Sequence, residues 1–221
     1  MTTKPTRTPH SVGAVKAKPF PTVAVIVAVV IVVGVGIVLA LAGGSEPKGT
    51  TALDAPVFGP ITTSGNALPA FDKDTPDPAS GAVAPRIDGR TPDDAAVSVG
   101  GAGKPTLIAF VAHWCPHCQA EVPRIVGLAK AGDLDGVRLV AVLTGTNPDA
   151  PNFPPAAWLQ REDWPGDVLL DDDKFTAATA YGLAEYPFLV AVDADGHVVA
   201  RSSGELPPEQ VVELARQAQG L

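Results

Sequence analysis

Cys115 and Cys118 are the only cysteines among the 221 residues of this chain. They lie three positions apart, directly after the apolar run 107–111 and before a segment with helical spacing. Two thiols on the first turn of a helix can close a disulfide within that turn. The positive potential at a helix N-terminus also favours the thiolate form of the first sulfur. The spacing therefore indicates redox chemistry between thiols and a disulfide.

The same pair has two other interpretations, an inert structural disulfide and one half of a metal site. A zinc site takes about four ligands, whereas this chain has two cysteines and four scattered histidines. We therefore predict no bound metal. A structural disulfide framework would use more than two cysteines, so the lack of a third favours the redox interpretation.

The segments on either side of the cysteines predict a βαβ unit. The run 106–112 is continuously apolar, which is typical of a strand buried on both faces. Residues 119–130 have helical spacing that includes Pro123, and a second buried strand is predicted at 137–143. Strand, helix and strand in this order form a right-handed unit, which puts the cysteines at the carboxyl end of its first strand. Open α/β sheets place their sites at that edge.

The rest of the body predicts shorter elements. The runs 188–192 and 197–201 flank a turn that ends in Gly196, which is a β-hairpin pattern. The other predicted elements are strands at 84–89, 96–99 and 167–170, and helices from Pro154 through Leu159, at 174–181 closed by Gly182, and from Pro207 onward.

The first 79 residues differ in character from the body. Residues 1–21 form a basic arm without periodicity. Residues 22–42 carry no charge and as a helix would span about 31 Å, close to a bilayer core of roughly 30 Å. We predict a single-pass anchor in the cell membrane, with a cytoplasmic N-terminus because the basic flank precedes it. A cleaved signal peptide ending at 40–42 is the alternative, but its apolar region would span only about 7 to 15 residues.

Residues 43–79 are rich in proline and glycine and predict an extracytoplasmic tether, whose docking on the body stays open. The predicted catalytic domain is then 80–221. Residues 43–221 contain 12 basic and 24 acidic side chains. This acidic balance excludes nucleic acid as a partner, because phosphate binding needs clustered Lys and Arg.

The motifs around the cysteines resemble a known family. They are Gly103-Lys104-Pro105, Phe110, Trp114-Cys115-Pro116-His117-Cys118, Glu121, Pro123 and the Tyr186-Pro187-Phe188 entry to the hairpin. The pattern resembles the thioredoxin fold, and within it the TlpA/ResA-like family of membrane-anchored thiol-disulfide oxidoreductases. The resemblance covers about two thirds of the chain and implies an α/β thioredoxin fold, with a central mixed sheet flanked by helices.

The resemblance also implies site residues. Cys115 would be the attacking thiolate, exposed by its position at the helix N-terminus, and Cys118 would be the resolving thiol. Their disulfide would be the redox centre, so no other cofactor is expected. Pro187 would follow a cis peptide bond opposite the dithiol, and Trp114 and Tyr186 would contact the substrate.

Three further residues would tune the redox centre. Pro116 and His117 form the dipeptide of DsbA-type oxidases, and a histidine there stabilises the thiolate, which makes the disulfide more oxidising. Glu121 lies one helical turn after Cys118 and could assist its proton transfers. Ala109 stands where thioredoxin carries a buried acid, so any proton shuttle falls to Glu121 or His117.

These implications together predict an extracytoplasmic thiol-disulfide oxidoreductase that exchanges disulfides with secreted or membrane-associated cysteine-containing proteins. A membrane redox partner would reoxidise or reduce it. Pro116-His117 favours the oxidase direction. The alternatives are a reductase in cytochrome c maturation, a copper-binding or copper-delivery protein of thioredoxin fold that uses a distant histidine such as His197, and an interaction domain with an idle disulfide.

Overall fold

The computed structural model of the protein describes residues 56–221. The predicted basic arm (1–21) and membrane anchor (22–42) lie outside the described residues. Within 56–221, none of the helices combines the length and apolar character that a membrane span requires.

The described part of the chain contains eight strands and four helices. In chain order they are β1 (Thr62–Ser64), β2 (Arg86–Arg90), β3 (Ala96–Val99), β4 (Thr106–Val111), α1 (Pro116–Ala131), β5 (Arg138–Leu143), α2 (Pro155–Arg161), β6 (Asp167–Leu170), α3 (Thr176–Ala180), β7 (Phe188–Val192), β8 (Val198–Ser203) and α4 (Pro208–Ala218). The predicted elements of the body are all present, with ends that differ by a few residues.

The central sheet is mixed and has the strand order β6-β5-β4-β7-β8. β4 pairs in parallel with β5 and antiparallel with β7, and β7 pairs antiparallel with β8. All six residues of β4 are buried, as its continuous apolar run predicts. The α/β architecture with a central mixed sheet is therefore confirmed.

Alternate residues of β4 face two hydrophobic clusters. Leu107 and Ala109 belong to a cluster formed with α1, α2 and α4, which also contains both cysteines. Ile108 and Phe110 belong to a second cluster, formed with α3 and the small antiparallel sheet β1-β2-β3. The dithiol therefore lies on the α1 side of the central sheet.

The boundary predicted at residue 80 is corrected by the structure. β1 lies inside the predicted tether and pairs with β2. Leu68 is buried, and its N–H donates to the Ala180 carbonyl at 2.8 Å. Residues 56–79 therefore pack on the domain. Their sequence lacks periodicity because individual side chains and irregular backbone hydrogen bonds hold them, rather than a helix or a long strand.

Candidate active site

The two cysteines lie at the start of α1. Cys115 is the N-cap residue in an extended conformation, and Pro116 is the first helical residue. Proline suits this position because the first helical N–H has no partner within the helix. The helix therefore begins three residues before the stretch 119–130 that shows helical spacing, with Cys118 in its first turn. Both cysteines are free thiols, so the structure represents the dithiol form.

The two thiols differ in their surroundings. Cys118 is completely buried, and its sulfur accepts a hydrogen bond from the Ala112 N–H at 3.4 Å. Burial raises the pKa of the Cys118 thiol, and the nearby charges of Cys115 and Glu121 act in the same direction. This thiol needs a proton acceptor before it can act as a nucleophile.

Cys115 is less accessible than its helix position predicts, since only 6% of the residue is exposed. Its sulfur lies 3.9 Å from the Tyr186 carbonyl oxygen. Tyr186 packs against the hydrophobic cluster that contains both cysteines. The expectation that the N-terminal thiol is freely exposed is therefore wrong, because Tyr186 lies beside it.

The Tyr186–Pro187 peptide bond is cis, as the resemblance implied. Trp114 is 37% exposed, and its ring meets the Tyr186 ring edge-on at 5.9 Å. The Trp114 indole N–H donates to the Gly145 carbonyl at 2.6 Å. The predicted substrate-contacting residues therefore lie together beside Cys115.

Gly145 is a site residue that sequence reasoning missed. It adopts φ +62, and a Cβ there would lie 2.6 Å from the Tyr186 hydroxyl. Glycine relieves both constraints, because it tolerates positive φ and leaves room for the Tyr186 ring. A glycine shortly after the predicted strand 137–143, at the same sheet edge as the dithiol, was the available signal.

His113 is a second missed residue. It is completely buried one residue before Trp114, with Nδ1 2.7 Å from the Pro151 carbonyl and Nε2 accepting from the Asn147 N–H at 3.2 Å. These two contacts assign a neutral ring protonated on Nδ1. Burial lowers the pKa of His113, which agrees with that assignment. His113 therefore anchors the loop after β5 behind the dithiol.

Glu121 is completely buried on α1. Its Oε2 pairs with Arg124 and accepts from the Leu206 N–H at 3.3 Å, whereas Oε1 has no hydrogen-bond partner. Burial raises the pKa of Glu121, while the Leu206 N–H and Arg124 lower it. Ala109 lies in the same cluster as the cysteines and supplies only a methyl group, so Glu121 provides the buried carboxyl on this side of the sheet.

His117 points outward from α1, with its side chain 66% exposed. Its Nδ1 lies 2.6 Å from Oε1 of Glu205. The other oxygen of Glu205 lies 3.5 Å from Arg124. Hydrogen bonding from His117 lowers the pKa of Glu205, and Arg124 acts in the same direction. Sequence reasoning missed Glu205 and Arg124, because nothing local relates the segment after β8 to α1.

No group of three or more His, Cys, Asp and Glu side chains that could hold a metal ion occurs within residues 56–221. His197, the residue considered for copper, lies 3.7 Å from Asp193 in the turn before β8. It is not among the residues that contact the cysteines.

The mixed sheet, the Cys-x-x-Cys pair at the start of α1 and the cis-proline beside Cys115 define a thioredoxin-like domain. Residues 63–217 match the Redoxin family, so the chain belongs to that family. A solved thiol:disulfide interchange protein of the thioredoxin family from Chlorobium tepidum has the same fold. Its TM-score is 0.50 at 19% identity, over 65% of this chain and 99% of that chain.

Two curated relatives are also similar in sequence. The thiol:disulfide interchange protein HelX of Rhodobacter capsulatus is 28% identical over 49% of this chain and 57% of its own length. The thiol:disulfide interchange protein DsbE of Haemophilus influenzae is 31% identical over 47% of this chain and 53% of its own length. The chain therefore spans about half the length of these relatives.

Proposed function

We propose that this protein is a thiol-disulfide oxidoreductase that uses the Cys115/Cys118 dithiol to exchange disulfides with cysteine-containing polypeptides. The observation that carries this proposal is the unequal pair of thiols: Cys115 at a helix N-terminus beside a cis-proline, and Cys118 fully buried behind it. Both curated relatives are named as thiol:disulfide interchange proteins, which supports the same reaction class.

The reaction takes place in two exchanges. The Cys115 thiolate attacks one sulfur of a substrate disulfide, forms a mixed disulfide and releases the other substrate sulfur as a thiolate. Cys118 then loses its proton and attacks the Cys115 sulfur. The Cys115–Cys118 disulfide forms and the second substrate thiolate leaves, so the substrate gains the two electrons that the dithiol loses. The oxidase reaction is the exact reverse.

The backbone at Tyr186 is the proposed contact for the substrate. Its carbonyl lies next to the Cys115 sulfur, so an extended substrate strand can hydrogen bond to the main chain there while its own sulfur meets Cys115. Tyr186 and Trp114 must shift to admit that strand, since Cys115 is nearly covered in the dithiol form.

Trapping mixed disulfides in cells tests the proposed function. Cys118→Ala lacks the resolving thiol and should accumulate covalent adducts between Cys115 and its substrates and redox partner. The double variant Cys115→Ala/Cys118→Ala is the matched control and should trap nothing. A Cys118→Ala protein that forms no adducts beyond this control would rule out the proposed exchange.

The direction of exchange has two candidates. Pro116-His117 favours an oxidase. The Glu205 carboxylate beside His117 favours a reductase, such as one acting on apocytochrome c, because its negative charge offsets a positive charge on the imidazole. Equilibration with glutathione buffers distinguishes them. A potential above about −200 mV supports the oxidase, whereas one near thioredoxin's, about −270 mV, supports the reductase.

We further propose that residues 22–42 anchor the protein in the cell membrane with the domain outside the cytoplasm. The support is the uncharged 21-residue run with its basic flank. Protease added to intact spheroplasts should remove the domain while a cytoplasmic marker survives. Full protection of the domain would contradict this orientation, and recovery of the whole domain in the medium would indicate cleavage after residue 42.

A further inference from the structure

Arg124 connects the buried Glu121 to the segment that follows β8. Its guanidinium pairs with Oε2 of Glu121, donates to the Leu206 carbonyl at 2.8 Å, and lies 3.5 Å from the Glu205 carboxylate. The Arg124 side chain is 28% exposed, so its guanidinium lies between solvent and the site.

Glu121, the buried end of this connection, lacks a hydrogen bond at one of its two carboxylate oxygens. Oε1 of Glu121 has no hydrogen-bond partner although the residue is completely buried. A buried carboxylate in this position would ordinarily take up a proton, because burial disfavours its charged form. Arg124 contributes the only full positive charge that pairs with Glu121 among the described residues.

We propose that Arg124 is a positioning residue that keeps Glu121 ionised and holds it in place on α1, one helical turn after Cys118, so that Glu121 can accept the Cys118 proton during resolution. Arg124 fixes Oε2, which leaves Oε1 as the oxygen without a partner and therefore the one free to take a proton. This inference rests on the proposed thiol–disulfide exchange for its role in the reaction.

The exposed end of this network places a second carboxylate, that of Glu205, beside Arg124. Four charged or titratable groups adjoin Glu121 directly or through Arg124: Cys118 and Arg124 on α1, Glu205 in the segment after β8, and His117 through Glu205. The line Glu205–Arg124–Glu121 alternates in sign. Arg124 is its only member that pairs with both carboxylates.

Arg138 provides a matched control for Arg124. It pairs with Asp167 at 2.7 Å, donates to the Ser98 carbonyl at 2.9 Å, and has 29% of its side chain exposed. It therefore resembles Arg124 in its exposure and in pairing with a carboxylate and a backbone carbonyl, but its carboxylate partner is half-exposed instead of buried.

Infrared spectroscopy of the full chain in the dithiol form tests the proposal directly. The carboxylic-acid C=O band of Glu121 is isolated by subtracting the spectrum of the same protein carrying Glu121→Gln. In Arg124→Gln this band should persist to a pH about one unit or more above the wild-type midpoint. Arg138→Gln should leave the midpoint at its wild-type value. Arg124→Lys should have a midpoint close to that of wild type, because lysine keeps the positive charge.

The rate of Cys115–Cys118 disulfide closure shows whether the titration midpoint of Glu121 matters for the reaction. Wild type and Arg124→Gln are loaded with a mixed disulfide at Cys115, and closure of the Cys115–Cys118 disulfide is followed at neutral pH. We expect closure to be about tenfold slower in Arg124→Gln, with the loss recovered at higher pH. Equal infrared midpoints in wild type and Arg124→Gln would overturn the proposal. The infrared measurement uses no substrate. It therefore tests the role of Arg124 separately from the proposed exchange reaction.

Discussion

Two arginine–carboxylate pairs of the domain each have one completely buried member, and they differ in how fully their polar atoms are satisfied. Arg201 has no exposed side-chain surface and contacts both oxygens of Asp77, at 2.5 and 2.8 Å. It also donates to the carbonyls of Pro69 and Tyr181, and its guanidinium lies 5.4 Å from the Phe71 ring centre. Each of the three guanidinium nitrogens therefore donates at least one hydrogen bond.

The pair of Arg124 and Glu121 is more exposed on the arginine side and less completely hydrogen-bonded. The arginine is partly in solvent, it shares its charge with Glu205, and one oxygen of Glu121 is left without a partner. The first pair attaches residues 56–79 to β8, and the second lies on the helix that begins at the dithiol. The difference supports our proposal that the second pair holds a titratable carboxyl near Cys118 at a cost in stability, whereas the first pair contributes stability.

The largest effect is expected from Arg201→Met, which removes a completely buried guanidinium and leaves the partly buried Asp77 and the carbonyls of Pro69 and Tyr181 without their donor. We expect it to lower the free energy of unfolding by about 3 kcal/mol, measured by urea denaturation. The comparison variant Arg138→Met removes a half-exposed pair and should cost less than about 1 kcal/mol. Equal losses in the two variants would mean that burial does not distinguish these pairs.

A smaller effect of opposite sign is expected from Glu121→Gln at pH 7. The variant removes a buried charge, and Arg124 keeps the Leu206 carbonyl and Glu205 as partners. We expect the free energy of unfolding to rise by about 1 kcal/mol. A loss of stability would contradict the idea that Glu121 is retained for the chemistry of the dithiol.

The two carboxylates should also respond oppositely to pH. Hydrogen bonding to Arg201 lowers the pKa of Asp77, so its stabilising contribution is present above the unfolded value of 3.8 and is lost as the pH falls through the folded value. Burial raises the pKa of Glu121, so its destabilising contribution is present at neutral pH and disappears as the pH falls towards 4.5. The free energy of unfolding should be measured for wild type, Asp77→Asn and Glu121→Gln from pH 3 to 7. At pH 7 Asp77→Asn should be less stable than wild type and Glu121→Gln more stable. Both differences should become smaller as the pH falls.

The smallest effect is expected from Glu205→Gln at the exposed end of the network. Removing this negative charge beside His117 should speed alkylation of Cys115 by iodoacetamide about twofold at pH 6, and less at high salt. Asp163→Asn removes the exposed partner of Lys130 at the other end of α1 and serves as the control. A change of the same size in the control would show that the Glu205 effect is not local.

The sequence was most informative where a local pattern determines structure. The continuous apolar runs identified β4 and β5, and Cys-x-x-Cys together with Tyr186-Pro187 identified the residues that meet at the site. What it could not supply were side-chain contacts across long separations. Asp77 and Arg201 are 124 positions apart, and each looks like an ordinary surface charge in its own segment. For this reason the sequence leaves the docking of residues 43–79 open and predicts the domain boundary at 80.

The accessibility of Cys115 was misjudged for a related reason. Helix position predicts an exposed first thiol, but Cys115 is buried in a hydrophobic cluster, with Tyr186 beside it, and the Tyr186 ring packs against Trp114 and over Gly145. Only the assembled sheet edge brings these residues together.

Disulfide transfer from the purified, oxidised full chain to a reduced two-cysteine peptide is the most direct test of the proposed reaction. Mass spectrometry should show the peptide gaining one disulfide as the protein loses the Cys115–Cys118 bond, faster than with equimolar oxidised glutathione. Cys115→Ser should abolish transfer, because without the Cys115 sulfur the chain cannot form the Cys115–Cys118 disulfide. Transfer unchanged in Cys115→Ser would contradict the account, and so would a chain that neither oxidises the reduced peptide nor, in its dithiol form, reduces the oxidised peptide faster than glutathione does.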